Sequence, residues 1–124
     1  MTNFEQLANS TTNNSPTHFL ELVKDNSLQN LTSYFIFNNT KNEINFFQTL
    51  KFLAEDAIWT KDELSNYTFI AQTIDNDYVL ASEKQTLVIP YSCYKSDSEL
   101  FEDNVFDFFS KQEQGLLHSN ILPK

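Results

Sequence analysis

The sequence predicts an α+β domain: an antiparallel sheet with a central β-meander, and helices packed at the N-terminus, in the middle and at the C-terminus. Its 124 residues match the size of one domain with one hydrophobic core. Three apolar runs within residues 67–91 are separated by short polar connections, which is typical of consecutive antiparallel strands. Helix-start signals and apolar residues at helical spacing occur on both sides of this region.

The first part of the chain is polar and rich in Asn and Thr. Termini of this composition are poorly ordered unless an apolar side chain ties them down. We therefore expect a loosely ordered segment over residues 1–14, anchored by Phe4 or Leu7, and a single domain over residues 15–124.

A helix is predicted where this domain begins. Ser15 can cap the free backbone amides, and Pro16 fits the first turn, where its missing N–H costs nothing. Phe19 and Val23 then share one side of a helix that runs to about Lys24.

The next stretch combines strand and helix signals. Residues 31–37 are aromatic and β-branched and precede a turn cluster at residues 38–41, which predicts a hairpin into a second strand at residues 44–47. Apolar residues then recur at helical spacing, so a helix is predicted over residues 48–59.

Two capping boxes frame the remaining helices. Thr60 and Glu63 have the required spacing, which predicts a short helix to about residue 66. The same spacing at residues 96–99 predicts the start of one terminal helix or of two short ones, with one face marked by Leu100, Phe101, Val105, Phe108 and Phe109. Gly115 suits the C-terminal stop of this helix.

The meander between these helices gives the clearest signal. Its strands are nearly continuous in apolar residues, so we expect the middle of the sheet to be covered on both faces. Pro90 cannot donate a backbone hydrogen bond to a neighbouring strand, so it is expected at a strand end or bulge.

Charge is distributed unevenly. Residues 1–54 hold four acids and three lysines, whereas residues 55–124 hold thirteen acids and five lysines, so eight of the nine net negative charges lie in the second half. A nucleic-acid binder normally presents a basic face, and a net charge of −9 without arginine argues against direct nucleic-acid binding. One Cys, no apolar run of membrane-spanning length and no secretory signal favour a cytoplasmic protein without membrane contact.

Residue types that carry chemistry are present but do not form a motif. His18, His118 and Cys93 lie far apart in sequence, and none has partners at metal-ligand or nucleophile–base spacing. The run from Asp75 to Asp77 lacks the further ligands of a calcium loop and is better explained as a turn. We therefore expect no catalysis, metal or cofactor. Dispersed carboxylates converging in a cleft stay open as an enzymatic alternative.

A family resemblance follows from residues 46–112. An "IA" strand, a tight turn, two further strands and a helix with an aromatic pair occur in this order. The positions are Ile70, Ala71, Asp77, Tyr78, Val88, Phe106 and Phe109. This region resembles the C-terminal half of the SUKH superfamily, although Asn and Asp replace the glycines usual in its turns. The resemblance implies a bacterial immunity protein that binds and neutralises a cognate protein toxin.

The acids of the meander turns and of the segment before the last helix are the candidate partner-binding residues. They are Asp75, Asp77, Glu83, Asp97, Glu99, Glu102, Asp103 and Asp107. We predict that they form one acidic face that docks onto a cationic protein, since such charges raise association rates and select partners.

A basic nuclease is the expected toxin, because enzymes that grip phosphate present lysines and arginines. Two alternatives remain: the acids only solubilise the chain or suit helix ends, or the domain is a regulatory or scaffold module. A monomer is the default oligomeric state.

Overall fold

The computed structural model describes residues 2–30 and 33–122, and it confirms the predicted α+β class. Within these residues, five strands form one antiparallel sheet in the order β1-β2-β3-β4-β5. The strands are β1 (Phe35–Phe37), β2 (Thr68–Thr73), β3 (Tyr78–Ala81), β4 (Thr86–Ile89) and β5 (Glu99–Phe101). The helices are α1 (Asn3–Ser10), α2 (Pro16–Asp25), α3 (Thr40–Leu53) and α4 (Val105–Glu113).

Two hydrophobic cores lie on opposite faces of the sheet. The first core lies between the sheet and helices α1, α2 and α4, and the second between the sheet and α3 with the segment that follows it. Along β3 the side chains alternate, so Val79 and Ala81 enter the first core while Tyr78 and Leu80 enter the second. The prediction that both faces of the central sheet are covered is confirmed.

The N-terminal segment is more ordered than the sequence predicted. Residues 3–10 form α1, which begins at the N-cap Thr2, whose side chain accepts a hydrogen bond from the Glu5 amide. Phe4 and Leu7 are both buried in the first core, as expected of the anchor. The amide of Phe4 also donates to Glu113 at the end of α4, at 2.9 Å. The expectation of a loosely ordered segment is therefore wrong for α1, because its apolar face packs against α4.

Helix α2 confirms the predicted helix start. The Ser15 hydroxyl accepts a hydrogen bond from the His18 amide, and Pro16 occupies the first turn. The helix ends at Asp25, one residue beyond the predicted end, and the Asn26 amide donates to the Leu22 carbonyl at 3.0 Å.

The hairpin predicted after β1 is wrong. Its first strand is shorter than expected, and residues 31 and 32 lie outside the described residues. Instead of a turn, the Asn39 side chain caps α3 by accepting from the Asn42 amide at 2.9 Å. Residues 44–47 lie in this helix because Phe46 and Leu50 are one turn apart and both enter the second core.

The helix predicted over residues 48–59 therefore starts earlier and ends sooner. The chain leaves α3 after Leu53, and a turn in which the Ile58 amide donates to the Glu55 carbonyl brings Ile58 into the second core.

The two capping boxes have different outcomes. Thr60 and Glu63 exchange hydrogen bonds of 3.0 and 3.2 Å, but the residues after them form turns and not the predicted helix. The box at residues 96–99 does not form, because Glu99 begins β5 and pairs with Val88. The terminal helix therefore starts later, at the N-cap Asn104.

The meander and the last helix stop are confirmed. Strands β2, β3 and β4 follow one another along the sheet, and Pro90 comes directly after β4. Gly115 has a φ of +73°, and its amide donates to the Gln112 carbonyl while the Leu116 amide donates to the Lys111 carbonyl. This pair of bonds is the Schellman motif, which requires the left-handed conformation that glycine adopts freely.

Candidate functional site

The order of the strands separates the acidic residues into groups. In an antiparallel meander, successive turns lie at opposite ends of the sheet. We call the end of the sheet with the β2–β3 turn the first end, and it holds Asp75 and Asp77. We call the end with the β3–β4 turn the second end, and it holds Glu83. The β4–β5 connection returns to the first end with Asp97, and β5 then leads back to Glu102 at the second end.

The predicted acids therefore do not form one continuous face, and that part of the prediction is wrong. The four-residue strand β3 lies between the two turns, and at about 3.3 Å per residue it holds them at least about 13 Å apart. This separation exceeds the Debye length of about 8 Å at physiological ionic strength. Each end of the sheet acts as a separate electrostatic site.

Most carboxylates of the second end have partners within the chain. Its predicted acids are Glu83, Glu102, Asp103 and Asp107. Asp103 forms an ion pair with Lys111, with 2.8 Å between oxygen and nitrogen, and Glu102 accepts two hydrogen bonds from the Gln85 amide. Asp107 lies in the first turn of α4, where a carboxylate suits the positive end of the helix dipole.

Glu99 belongs to neither end. It lies on edge strand β5, where it accepts hydrogen bonds from the Ser119 hydroxyl and from the Asn120 amide. The Ser119 hydroxyl in turn accepts from the Leu122 amide, and Leu122 is buried in the first core. Glu99 therefore attaches the C-terminal segment to the edge of the sheet.

The first end combines carboxylates with exposed apolar side chains. Ile74 is 59% exposed and Tyr91 is 70% exposed. The Tyr91 amide donates to Asp77 at 3.1 Å, which joins the β2–β3 turn to the end of β4. The Tyr34 hydroxyl donates to Asp75 at 3.3 Å. We call this surface the tyrosine–acid patch. It consists of Tyr34, Ile74, Asp75, Asp77 and Tyr91, and Asp97 in the β4–β5 connection lies at the same end of the sheet.

The negative charge of this patch is not neutralised by ion pairing. The ion pairs found among the described residues join His18 to Glu21, Lys95 to Glu63 and Lys111 to Asp103. None of them involves an acid of the patch. Partial burial raises the pKa of Asp77, an effect that the Tyr91 amide opposes and the neighbouring Asp75 charge reinforces. The patch therefore presents uncompensated carboxylates beside a tyrosine and an isoleucine.

The residues that could carry chemistry are not brought together. Cys93 is fully buried, and burial raises the pKa of its thiol to about 11, which disfavours the reactive thiolate. The ring of His18 contacts the Thr11 hydroxyl at 3.3 Å, and His118 is exposed in the C-terminal segment. Across residues 2–30 and 33–122, no group of three or more His, Cys, Asp or Glu side chains is placed to hold a metal ion.

A groove beside α3 differs from the tyrosine–acid patch in its charge. It encloses ≈ 810 Å³ between α3 and the turn at residues 60–62, and its lining is mainly apolar. Its charged lining residues are Glu43, Asp62, Lys51 and Lys61, so acids and lysines balance. The groove therefore lacks the acidic character that the sequence predicted for a binding surface.

The acids of the patch are predicted from the sequence, but its apolar members are not. Ile74 directly follows a strand whose residues are mostly buried, and Tyr91 directly follows Pro90. Sequence patterns do not distinguish such residues from core residues. The one usable signal is their position beside turn residues, because side chains at strand ends are more often exposed.

Comparison of the chain with protein-family models, curated proteins and solved structures finds no match. The positions that carry the SUKH resemblance are packing positions in the structure. Ile70 and Ala71 lie in β2, and Phe106 and Phe109 extend from α4 into the same first core. None of the helices in the described part of the chain has the length and apolar character needed to cross a membrane.

Proposed function

We propose that this chain is a non-enzymatic immunity protein of the cytoplasm that binds and neutralises a cognate protein toxin, a basic nuclease, through the tyrosine–acid patch. One observation carries the proposal. Ile74 and Tyr91 are exposed on the same end of the sheet as Asp75, Asp77 and Asp97, none of which forms an ion pair in the described structure.

This combination has the composition of a protein-binding surface. Interfaces place aromatic side chains at their centre and polar groups at their rim, and tyrosine is among the residues that contribute most binding energy. Carboxylates around the tyrosine attract a cationic partner and accelerate encounter. A nuclease that grips phosphate presents such a cationic surface, so an acidic protein bound there excludes the nucleic acid.

Charge reversal at each end of the sheet tests this proposal. A tagged form of the chain first captures its partner from cells that also express the gene adjacent to the one that encodes this chain. Association rates are then measured by stopped-flow fluorescence for D75K/D97K at the first end and for E83K/E102K at the second end. The two variants change the net charge equally, so the second is the matched control.

We expect D75K/D97K to slow association at low salt by roughly 10- to 100-fold, with a much smaller effect at high salt. The E83K/E102K variant should change the rate by less than about 3-fold, because its charges lie more than a Debye length away. Equal effects of the two variants would remove the docking role of the patch.

Removal of the Tyr91 side chain tests the apolar part of the patch. In the Y91A variant we expect faster dissociation, with a loss of about 1 to 3 kcal/mol of binding energy and an unchanged association rate. A captured partner with no toxic activity would instead support the regulatory or scaffold alternative. Inhibition of the captured protein's nuclease activity, assayed on DNA and on RNA, separates the two functions.

A further inference from the structure

Asp77 differs from the other carboxylates at the first end of the sheet. Asp75 and Asp97 are exposed, whereas Asp77 is only partly exposed. Both oxygens of the Asp77 carboxylate have partners within the chain. One accepts a hydrogen bond from the Tyr91 amide at 3.1 Å, and the other accepts from the Thr73 hydroxyl at 3.5 Å. The Asp77 side chain is therefore directed into the chain, while Asp75 and Asp97 are open to solvent.

The β2–β3 hairpin fixes the position of Asp77. Its amide donates to the Thr73 hydroxyl at 3.0 Å, and the Thr73 amide donates to the Asp77 carbonyl at 2.8 Å. Thr73 is fully buried. The Asn76 amide closes the turn between the two residues by donating to the Thr73 carbonyl at 2.9 Å. The Asp77 carboxylate is therefore an acceptor in a fixed place.

Tyr91 lies just beyond the part of β4 that the sheet holds. The pairing of β4 with β3 ends at Ile89, and Pro90 follows, which has no N–H to donate. The Tyr91 amide donates to the Asp77 carboxylate, and hydrogen bonds to a charged acceptor are stronger than those to a neutral one. Tyr91 is 70% exposed, so packing constrains it little. The bond to Asp77 therefore ties Tyr91 to the β2–β3 turn.

We propose that Asp77 is a positioning residue of the tyrosine–acid patch, which holds Tyr91 close to the β2–β3 turn before the toxin binds and forms no ion pair with the toxin. This inference rests on the proposed toxin-binding function. A residue that is already in place loses less conformational entropy on binding, which favours the complex. Asp77 therefore acts through its acceptor oxygen, whereas Asp75 and Asp97 act through their charge.

Replacement of Asp77 by asparagine or by alanine separates these two roles. Both variants lose the charge, but D77N keeps an oxygen that can accept from the Tyr91 amide and places an N–H donor next to the Thr73 hydroxyl. Partial burial raises the pKa of the Asp77 carboxyl because it disfavours the charged form, so an uncharged side chain suits this site. D77N should therefore fold, and circular dichroism checks both variants.

The Tyr91 amide reports on this bond without any partner. Its hydrogen exchange in the free chain, measured by NMR, should be about 10-fold faster in D77A, because alanine removes the acceptor. In D77N we expect a rate within about 3-fold of that of the unmodified chain. Equal exchange rates in D77A and the unmodified chain would overturn the positioning role.

Binding kinetics with the captured toxin test the consequence. Both variants should slow association at low salt by the same factor, less than about 3-fold, because each removes one negative charge. Dissociation should be about 10-fold faster from D77A but within about 3-fold of the unmodified rate from D77N. Fast dissociation from D77N would overturn the inference, since the toxin would then bind the charge of Asp77. Equal dissociation from D77A and the unmodified chain would also overturn it.

The D77E variant gives a second comparison if D77A does not fold. It keeps the charge but moves the carboxylate by one methylene group, so the toxin should dissociate faster from D77E than from D77N. The reverse order would contradict the positioning role. The proposed function itself fails by a different result, which is an equal effect of D75K/D97K and E83K/E102K on association.

Discussion

Replacement of Phe109 by alanine should destabilise the chain more than any substitution of an exposed aromatic residue. Phe109 is fully buried at the centre of the first core. Its ring centroid lies 5.2 to 5.4 Å from five other rings. These belong to Phe4, Phe19, Phe35, Phe37 and Phe108.

The magnitude follows from burial and from the rigidity of these neighbours. Loss of a buried phenylalanine side chain costs about 3 to 5 kcal/mol, and the cost is largest where the surroundings cannot collapse into the cavity. The five rings come from α1, α2, β1 and α4, so no single movement fills the space. We therefore expect F109A to lose about 4 to 5 kcal/mol of unfolding free energy, a large part of the 5 to 15 kcal/mol typical of a domain.

Urea denaturation followed by circular dichroism measures this loss. The matched control is F52A, which removes the same side chain from a site that is 88% exposed and should change stability by less than about 0.5 kcal/mol. The F109L variant should lose less than F109A, since leucine fills most of the cavity. A loss below about 2 kcal/mol for F109A would refute the argument that this ring joins the four elements.

Two further predictions concern ionisable groups. Cys93 should not react with a thiol reagent at neutral pH in the folded chain, because it is buried and its pKa is raised to about 11. It should react fully in urea, and rapid labelling of the native chain would contradict the prediction. The pKa of Asp77 is raised in the folded state, chiefly by burial, so its contribution to stability should decrease as pH rises from its unfolded to its folded pKa. Denaturation curves across this acidic range should show a smaller decrease in D77N, and an equal decrease would assign the effect to other groups.

The parts of the fold that were predicted correctly depend on local signals. The meander was predicted because short turns of Asp, Asn, Glu and Gln separate its apolar runs. The structure confirms that the turn at Asp75–Asp77 connects β2 to β3. Helix α2 was found because Ser15 and Pro16 together specify a helix start. In each case the decisive interactions lie within a few residues of one another.

The errors arose where distant contacts decide the structure. Residues 44–47 look like a strand, but Phe46 packs against Tyr78, with ring centroids 4.5 Å apart, and Leu50, one helical turn later, enters the same core. Glu99 has the spacing of a capping residue, but pairing with β4 and hydrogen bonds to residues 119 and 120 place it in a strand. Such contacts cannot be found from spacing along the chain.

The same limit applies to the candidate site. Charge counting identified the acids of the second half, but it could not assign them to the two ends of the sheet. That assignment depends on strand order, which places Asp75 and Glu83 at opposite ends of β3. Counting charges also cannot show that Lys111 neutralises Asp103.

The burial of strand β3 on both faces has a consequence for how this chain could be shortened. All four of its residues are buried, two against each core. Deletion of α1, α2 and α4 would expose one apolar side of the strand to water, and deletion of α3 with the segment that follows it would expose the other. No fragment that keeps the meander but omits either layer should stay soluble, so both layers must be synthesised before the native state becomes stable.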